Sequence, residues 1–566
     1  MDISRFYGGA SLRPRHRYLE SAKECVEASN GENLEIVLLP PESGDQPCDS
    51  DEEYDDECLD EIGIPEETAG EVEIHGEEFE DRDFQETREG IRWKKYEELS
   101  LTEVEPIVMP DEIMRLGELP MFEIFSLFFS DDMLDLIVEQ TNLYATRDKN
   151  VHNFETNRIE MRKFLGMIVI SGYHRLPSEN DYWSTAEDLK APLFPSIMSR
   201  SRFRTLKRYL HISDNSNLTQ SKMAKVLPFY DRLKENCLQF GVFHKFLSID
   251  ESMIPYRGLH SARQYIKGKP VKFGYKMWMM CGSDGYPYNF EIYCGKEANR
   301  DGPLGSHVVK TLLTPVSNKD QHVVFFDNFF TSYDLLRTLA ADNIRACGTI
   351  RENRTGRCPL PSNKDWKKKP RGSYDFRSEG TVLCVKWQDN CVVSAASNYY
   401  GVNPVQTTER RVKNEKNKSI DQPFLLKMYN KGMGGVDVCD KLLSSYRPRL
   451  RSKKWWWNLF ANSINLSIVA AFKFYCVINN KSNISHLVFR REIARALVKS
   501  ENIRLRTGGP TAPTSTAVRY DGVNHILLSC KQGRCIACGK NTRLFCEKCE
   551  KRLHKSCSKS YHKIMK

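Results

Sequence analysis

The sequence predicts an α/β catalytic core flanked by a helical unit, interrupted by an inserted β subdomain and followed by a small zinc-binding domain. Three observations carry this. Two short apolar runs with strand character, FLSI at 246–249 and HVVFF at 322–326, run into Asp250 and Asp327 and alternate with helical segments, the order of an α/β sheet. Helical periodicity prevails on either side of that block, over 118–245 and 447–506. Six of the 18 cysteines crowd into the last 37 residues beside histidines, which reads as reduced thiols on a metal instead of disulfides.

A chain of 566 residues exceeds what one hydrophobic core serves, so several units are expected. Residues 41–90 hold 22 Asp and Glu against Arg82 and Arg88, and residues 1–105 read as a disordered acidic leader. The net charge of +8 conceals this, because residues 91–566 carry 76 basic against 47 acidic residues. So basic a body suits a polyanion, since each neutralised phosphate releases a counterion. Charge alone equally fits a solvated basic surface. The longest apolar stretch, 463–479, carries Lys473 and reads as a packed helix, not a membrane span. No apolar segment follows the first basic residues, so neither secretion nor a membrane is expected.

The helical unit begins near 118. Ser130 precedes Asp131 as an N-cap, and Met133, Leu134, Ile137 and Val138 recur at helical spacing. Helices follow over 161–173 and 200–210, the second carrying Arg202, Arg204, Lys207 and Arg208. Over 246–352, the first part of the catalytic domain, strands are expected at 246–249, 272–281, 289–294, 322–326 and 346–350, with helices at 307–313 and 335–341. The inserted β subdomain spans 353–423, with a basic loop at 364–371 and strands at 380–387 and 391–397. Helical signal at 424–446 completes the catalytic domain. A flexible linker (507–524) leads to the cysteine-rich segment 525–566.

An aspartate at the C-terminal end of an apolar strand faces the open crevice of an α/β sheet. Asp250 and Asp327 hold that position, and Asp437 follows Gly434, Gly435 and Val436 at the start of a helix, with Asp440 three residues on. Hard cations such as Mg²⁺ need such oxygens, and two of them about 4 Å apart serve an in-line phosphoryl displacement. A lone aspartate after a strand is usually a turn or cap. Three in this order leave the cap and the ligand site as even alternatives.

The strings SIDESMIPYRG (248–258), FFDNFFTS (325–332) and MGGVDVCD (433–440) resemble the three acidic motifs of piggyBac transposases, in that family's order. The strings YIKGKPVKFGYK (265–276), GTIREN (348–353) and MSRSRFRTLKRYLHISD (198–214) extend the likeness over 118–566. In style it is nearest to the domesticated piggyBac-derived proteins. The resemblance implies an RNase H-like core in which Asp250, Asp327 and Asp437 bind two catalytic Mg²⁺, with Asp440 a further acid beside them. Arg351 and Arg354 fall at basic positions used in strand joining, Lys276 is taken as a DNA contact, and Trp455 matches an aromatic near the DNA end. At least two of Trp455, Trp456 and Trp457 are expected to pack in a helix face. Terminal inverted repeats, TTAA targets and a homodimer built by the helical unit are also implied. Nuclear location follows from DNA as substrate and from basic clusters at 364–371 and 410–418.

Near the C-terminus, His525, Cys535, Cys538, Cys546, Cys549, His554, Cys557 and His562 supply eight soft ligands, largely as pairs two residues apart. In a cross-brace, as in RING- and PHD-like modules, Cys535, Cys538, His554 and Cys557 would share one Zn²⁺ and His525, Cys546, Cys549 and His562 the other. That pairing resembles the cysteine-rich domain of piggyBac proteins. Whether His525 or Cys530 is the eighth ligand stays open. Lysines around these ligands favour DNA over a histone tail, leaving chromatin contact as the alternative. Two readings of the whole chain remain: an active cut-and-paste transposase, and a domesticated DNA-binding protein that no longer cuts.

Overall fold

The computed structural model describes residues 91–499 and 525–563, with gaps at 97–98, 102, 105, 267–268, 296–301, 413–414, 481–483 and 550, plus residue 520 and the backbone of three strands nearer the N-terminus. It divides into two compact units, Met1–Glu501 and Asn502–Lys566.

The larger unit is organised by one long sheet. Its centre is three parallel strands, β4 (Phe246–Pro255), β8 (Val323–Phe326) and β9 (Arg345–Thr349). On the β4 side lies β6 (Phe273–Gly282), antiparallel, which also pairs with β5 (Gln264–Ile266) and β7 (Pro287–Ile292). On the β9 side the sheet continues antiparallel through β12 (Val392–Ser397), β11 (Leu383–Gln388) and β10 (Tyr374–Ser378). The strand β8 explains its own sequence. Val324 and Phe326 enter one apolar cluster and Val323 and Phe325 another, with Leu383, Val385 and Leu425. A strand buried on both faces has no polar alternate positions, so it reads as an unbroken apolar run. Each fully buried phenylalanine there contributes about 1.5–3 kcal/mol.

The helices of eight residues or more are α1 (Met121–Phe128), α2 (Asp131–Leu143), α3 (Arg158–Ser171), α4 (Arg200–Tyr209), α5 (Leu227–Leu238), α6 (Leu304–Leu313), α7 (Tyr333–Ala341), α8 (Phe424–Gly432), α9 (Gly435–Ser445), α10 (Trp457–Ile478) and α11 (His486–Lys499). Ser130 caps α2 as expected, its hydroxyl accepting from Met133 N. The stretch read as a packed helix falls in α10, whose apolar window is 83% buried in the core.

Three expectations give way. Strand β4 does not stop at Asp250: it stays paired with β6 as far as Pro255. Within the insertion, β10–β12 extend the main sheet, and only β13 (Gln406–Val412) with β14 (Glu415–Gln422) forms a separate two-stranded sheet. The leader contributes β1 (Arg15–His16), β2 (Leu34–Leu38) and β3 (Val72–Gly76), with β2 antiparallel to β5. Trp93 also packs its ring on Tyr333, with centroids 5.6 Å apart. Most of the leader, and the linker apart from Tyr520, lies outside the described residues.

Candidate active site and metal centres

The parallel pairing of β4 with β8 ends at Ile249 opposite Phe326. The next residue on each strand is an aspartate, so the register alone sets Asp250 beside Asp327 at the C-terminal edge of the parallel strands. Glu251 joins them: carboxylate oxygens of Asp250, Glu251 and Asp327 all lie within 4.8 Å of one another. Asp250 Oδ1 accepts from Glu251 N (2.8 Å) and Asp327 Oδ1 from Phe329 N (3.0 Å). Lys269 donates to Glu251, its Nζ 3.1 Å from Oε1.

The third acidic motif arrives on α9, held against the sheet by contacts that its sequence dictates. A Cβ on Gly435 would lie 2.4 Å from Gly282 O and 2.5 Å from Ser248 Oγ, so only glycine permits this approach. Ser248 Oγ accepts from Val436 N at 3.1 Å. One turn along, Ser252 Oγ donates to Asp440 Oδ1 at 2.6 Å. Asp437 is exposed in the first turn of α9 and is not among the three clustered carboxylates. The structure brings Asp250 and Asp327 together; neither Asp437 nor Asp440 is among the three clustered carboxylates, and of the two it is Asp440 that is hydrogen-bonded to β4.

The electrostatics show what the pocket lacks. Burial, followed by the neighbouring Glu251 charge, pushes Asp250 well above the usual carboxylate range. The same two causes push Asp327 up to about 6. Burial also pushes Asp440 up to about 6, against the opposing Ser252 hydrogen bond. Burial opposes the charge of Glu251 too, but Lys276 and Lys269 outweigh it and hold that group low. Several partly desolvated carboxylates with too little positive charge suit hard divalent cations.

The other sequence-predicted residues divide. Lys276 is buried, its Nζ 4.0 Å from the Trp278 ring centroid and 5.1 Å from that of Phe329. It faces the acids from inside, which corrects its expected place as a DNA contact. Arg354 donates to the carbonyls of Phe329 (2.7 Å) and Asn328 (3.3 Å), and Arg351 to the Asn328 side chain (3.3 Å). Both thus brace the turn that carries Asp327. Burial and the adjacent Arg354 bring Arg351 down to about 9. Trp456 and Trp457 are core residues, while Trp455 is half-buried and stacks on His260 at 4.1 Å. On α4, Lys207 is engaged with Glu179 and Arg202 with Glu160, whereas Arg200 and Arg208 are exposed. Sequence reasoning passed over Glu251, Lys269, Ser248 and Ser252. Period-two alternation sends neighbours on a strand to opposite faces, so Glu251 next to Asp250 gave no signal.

The C-terminal unit brings its ligands into two groups of four: Cys535, Cys538, His554 and Cys557, and His525, Cys546, Cys549 and His562. These are the interleaved sets of the cross-brace reading, with His525 and not Cys530 as the eighth candidate ligand. Cys530 lies outside both, on β15 (Leu527–Arg534). Within the first set, Cys538 Sγ is 3.4 Å and Cys557 Sγ 3.9 Å from His554 Nδ1, while His554 Nε2 meets Asn541 O at 2.9 Å. That second contact orients the ring toward the thiols. Burial tends to raise the Cys535 thiol, but backbone N–H groups of His554, Cys538 and Ala537 bring it down to about 6. Among the described residues, the unit's apolar cluster has Cys535, Cys546, Cys549 and Leu553 as its buried members. A core made mostly of would-be ligands cannot hold a fold, so metal binding would supply its folding energy.

Comparison with known proteins places this arrangement. A family model described as Transposase IS4 matches residues 122–472. PiggyBac transposable element-derived protein 3 of Homo sapiens is 36% identical, over 83% of this chain and 81% of the relative. The chain belongs to the piggyBac transposase family. PiggyBac transposable element-derived protein 2 of Homo sapiens is 32% identical, over 80% of this chain and 78% of the relative. In fold, this piggyBac family member is similar to a solved piggyBac transposase synaptic complex with hairpin DNA. The TM-score is 0.59 at 23% identity, over 78% of this chain and 98% of that one.

Proposed function

We propose that this piggyBac family member is a metal-dependent DNA transposase. It would bind terminal inverted repeats and carry out cut-and-paste strand cleavage and transfer at TTAA targets, acting as a homodimer in the nucleus. The observation that carries the reading is the meeting of Asp250 and Asp327, 77 positions apart in the chain, beside Glu251 in a pocket short of positive charge. An RNase H-like core is supported by the order β7-β6-β4-β8-β9, with β4, β8 and β9 parallel and β6 and β7 antiparallel.

Asp250, Asp327, Asp437 and Asp440 are the residues we assign to hold two Mg²⁺, Asp437 from the open start of the same helix. Bound there, the cations would activate an attacking oxygen and stabilise the leaving one. The chain's own part is to place and neutralise DNA around them. Arg351 and Arg354 set two guanidinium groups beside the Asp327 turn. Trp455 offers an aromatic plane for an unpaired base, a contact of about 1–3 kcal/mol. The eight thiols and imidazoles of the C-terminal unit suit two structural Zn²⁺. We assign that unit to DNA, with chromatin contact as an outcome to test on the full-length chain.

Resemblance to transposable element-derived proteins favours a second reading, a DNA-binding protein that has ceased to cut. A plasmid-nicking assay with Mg²⁺ decides between them. Nicking by the wild type and none by Asp327→Asn supports the transposase. Equal nicking by both removes catalysis from this site, and none by either with DNA binding intact supports the second reading.

A further inference from the structure

Two lysines serve the carboxylate pocket, and they are built differently. Lys276 is immobilised on β6 under Trp278 and Phe329, 2% exposed. Lys269 stands in the bend beyond β5, with its Nζ 3.1 Å from Glu251 Oε1 and 3.4 Å from Glu251 O, and its side chain is 30% exposed. Its single charge bears on Asp250, Glu251, Asp327 and Asp440 alike. Arg447 also bears on Asp440.

The charge count explains the difference. Counted as formal charges, Asp250, Glu251, Asp327, Asp437 and Asp440 stand against Lys269, Lys276 and Arg447, a net of about −2. Two divalent cations would turn that to about +2. Of the three basic residues, Lys276 is locked in place and Arg447 faces Asp440 alone. Lys269 is the one that both touches the clustered carboxylates and is partly exposed, and therefore the one such a field would expel. A four-carbon stem ending in a compact ammonium suits movement from one anionic partner to another.

We propose that Lys269 is an exchangeable counter-ion of the site: it neutralises the acids before metal enters, leaves as the cations bind, and then pairs with a phosphate of the DNA strand held there. Metal and Lys269 thus compete for the same carboxylates, and loading with metal prepares a cationic arm for the substrate. The inference rests on the carboxylates holding metal, as proposed above.

The experiment titrates the full-length protein with Mn²⁺ by calorimetry without DNA. Wild type, Lys269→Gln, Lys269→Arg and Asp327→Asn are compared, followed by nicking of plasmid DNA at saturating Mn²⁺. Lys269→Gln should bind Mn²⁺ at least fivefold more tightly than wild type yet nick DNA at least tenfold more slowly, and Lys269→Arg, which keeps the charge, should show no such gain in Mn²⁺ affinity. Unchanged or weaker Mn²⁺ binding by Lys269→Gln overturns the exchange. Failure of Asp327→Asn to weaken Mn²⁺ binding is a separate result, which removes the metal site itself.

Discussion

Replacing Asp327 by asparagine should stabilise the metal-free protein, although the residue lies at the centre of the proposed site. Asp327 is pushed from 3.8 to about 6 in the folded chain, first by burial and then by Glu251. At pH 8 the folded state therefore holds a charge it disfavours by about two pKa units, at about 1.4 kcal/mol each. Partial solvent screening reduces this to about 1–2 kcal/mol. Asparagine removes the charge and keeps Oδ1, so Phe329 N still has its acceptor. For a body of about 400 ordered residues, 2 kcal/mol corresponds to about 2–3 °C in Tm. The sign follows from linkage: an acid with a raised folded pKa costs nothing below about pH 4, where it is protonated folded or unfolded, and costs its full amount above about pH 6. Asp327→Asn should thus melt higher than wild type in chelator at pH 8, with the gain gone at pH 4. Added Mg²⁺ should reverse the order, since a ligand at 100 times its Kd stabilises its own site by about 2.7 kcal/mol. Differential scanning fluorimetry over pH, with EDTA or Mg²⁺, measures this. A lower Tm for Asp327→Asn in EDTA at pH 8, or equal Mg²⁺ shifts for both proteins, refutes the desolvated-carboxylate account.

Three further outcomes are expected. Mn²⁺ affinity should fall steadily as pH drops from 8 to 5, because Asp327 and Asp440, both near 6, take up protons that the metal must displace; calorimetry showing a flat profile counts against their ligation. Asp440→Asn should weaken Mn²⁺ binding more than Asp437→Asn, and Ser252→Ala about threefold or more with recovery in Ser252→Thr, because the Ser252 hydroxyl orients Asp440; the reverse ranking of the two aspartates restores Asp437 as the principal ligand. Native mass spectrometry should find two zinc ions per chain in wild type and in Cys530→Ser but one fewer in Cys546→Ser, and loss of metal in Cys530→Ser would break the cross-brace assignment.

How much of this was legible in the sequence depended on how local the cause is. The soft ligands of the C-terminal unit were readable from their paired spacing. Their division into two sets rested on likeness to cross-brace modules, and the choice between His525 and Cys530 stayed open until the structure grouped them. The α10 core helix and the Ser130 cap were readable locally, one from Lys473 within an apolar stretch and the other from a hydroxyl before an apolar period. Asp250 and Asp327 were found as strand-end acids, yet β4 does not end at Asp250. What ends there is its pairing with β8, and no local pattern records when a strand changes neighbours. Lys276 was carried over with the family resemblance, and no local pattern shows that Trp278 and Phe329 cover it. Lys269 was invisible, since its partner Glu251 reaches it only through the sheet.

The insertion shows why a site spread over some 190 residues survives a long interruption. β9 ends at Thr349, and the chain then adds β10, β11 and β12 beyond it, on the side of β9 away from β4. Growth in that direction leaves the β4–β8 register, which aligns Asp250 with Asp327, untouched. The chain returns through α8 to α9, whose first turns dock through Gly435 against Gly282 and Ser248 and through Ser252 against Asp440, while Leu443 O further along accepts from Asn465 on α10. The contacts of the acidic motif itself fall on β4 and β6. The third acidic motif is thus positioned by the strands that carry or flank the first, and not by the inserted residues before it. A side chain added at Gly435 should therefore lift α9 and Asp440 from β4 together, weakening metal binding while the β4–β8 pair remains formed. In the same Mn²⁺ titration, Gly435→Ala should lose at least as much affinity as Asp440→Asn, and wild-type affinity in Gly435→Ala would show that the helix is held by something other than this glycine contact.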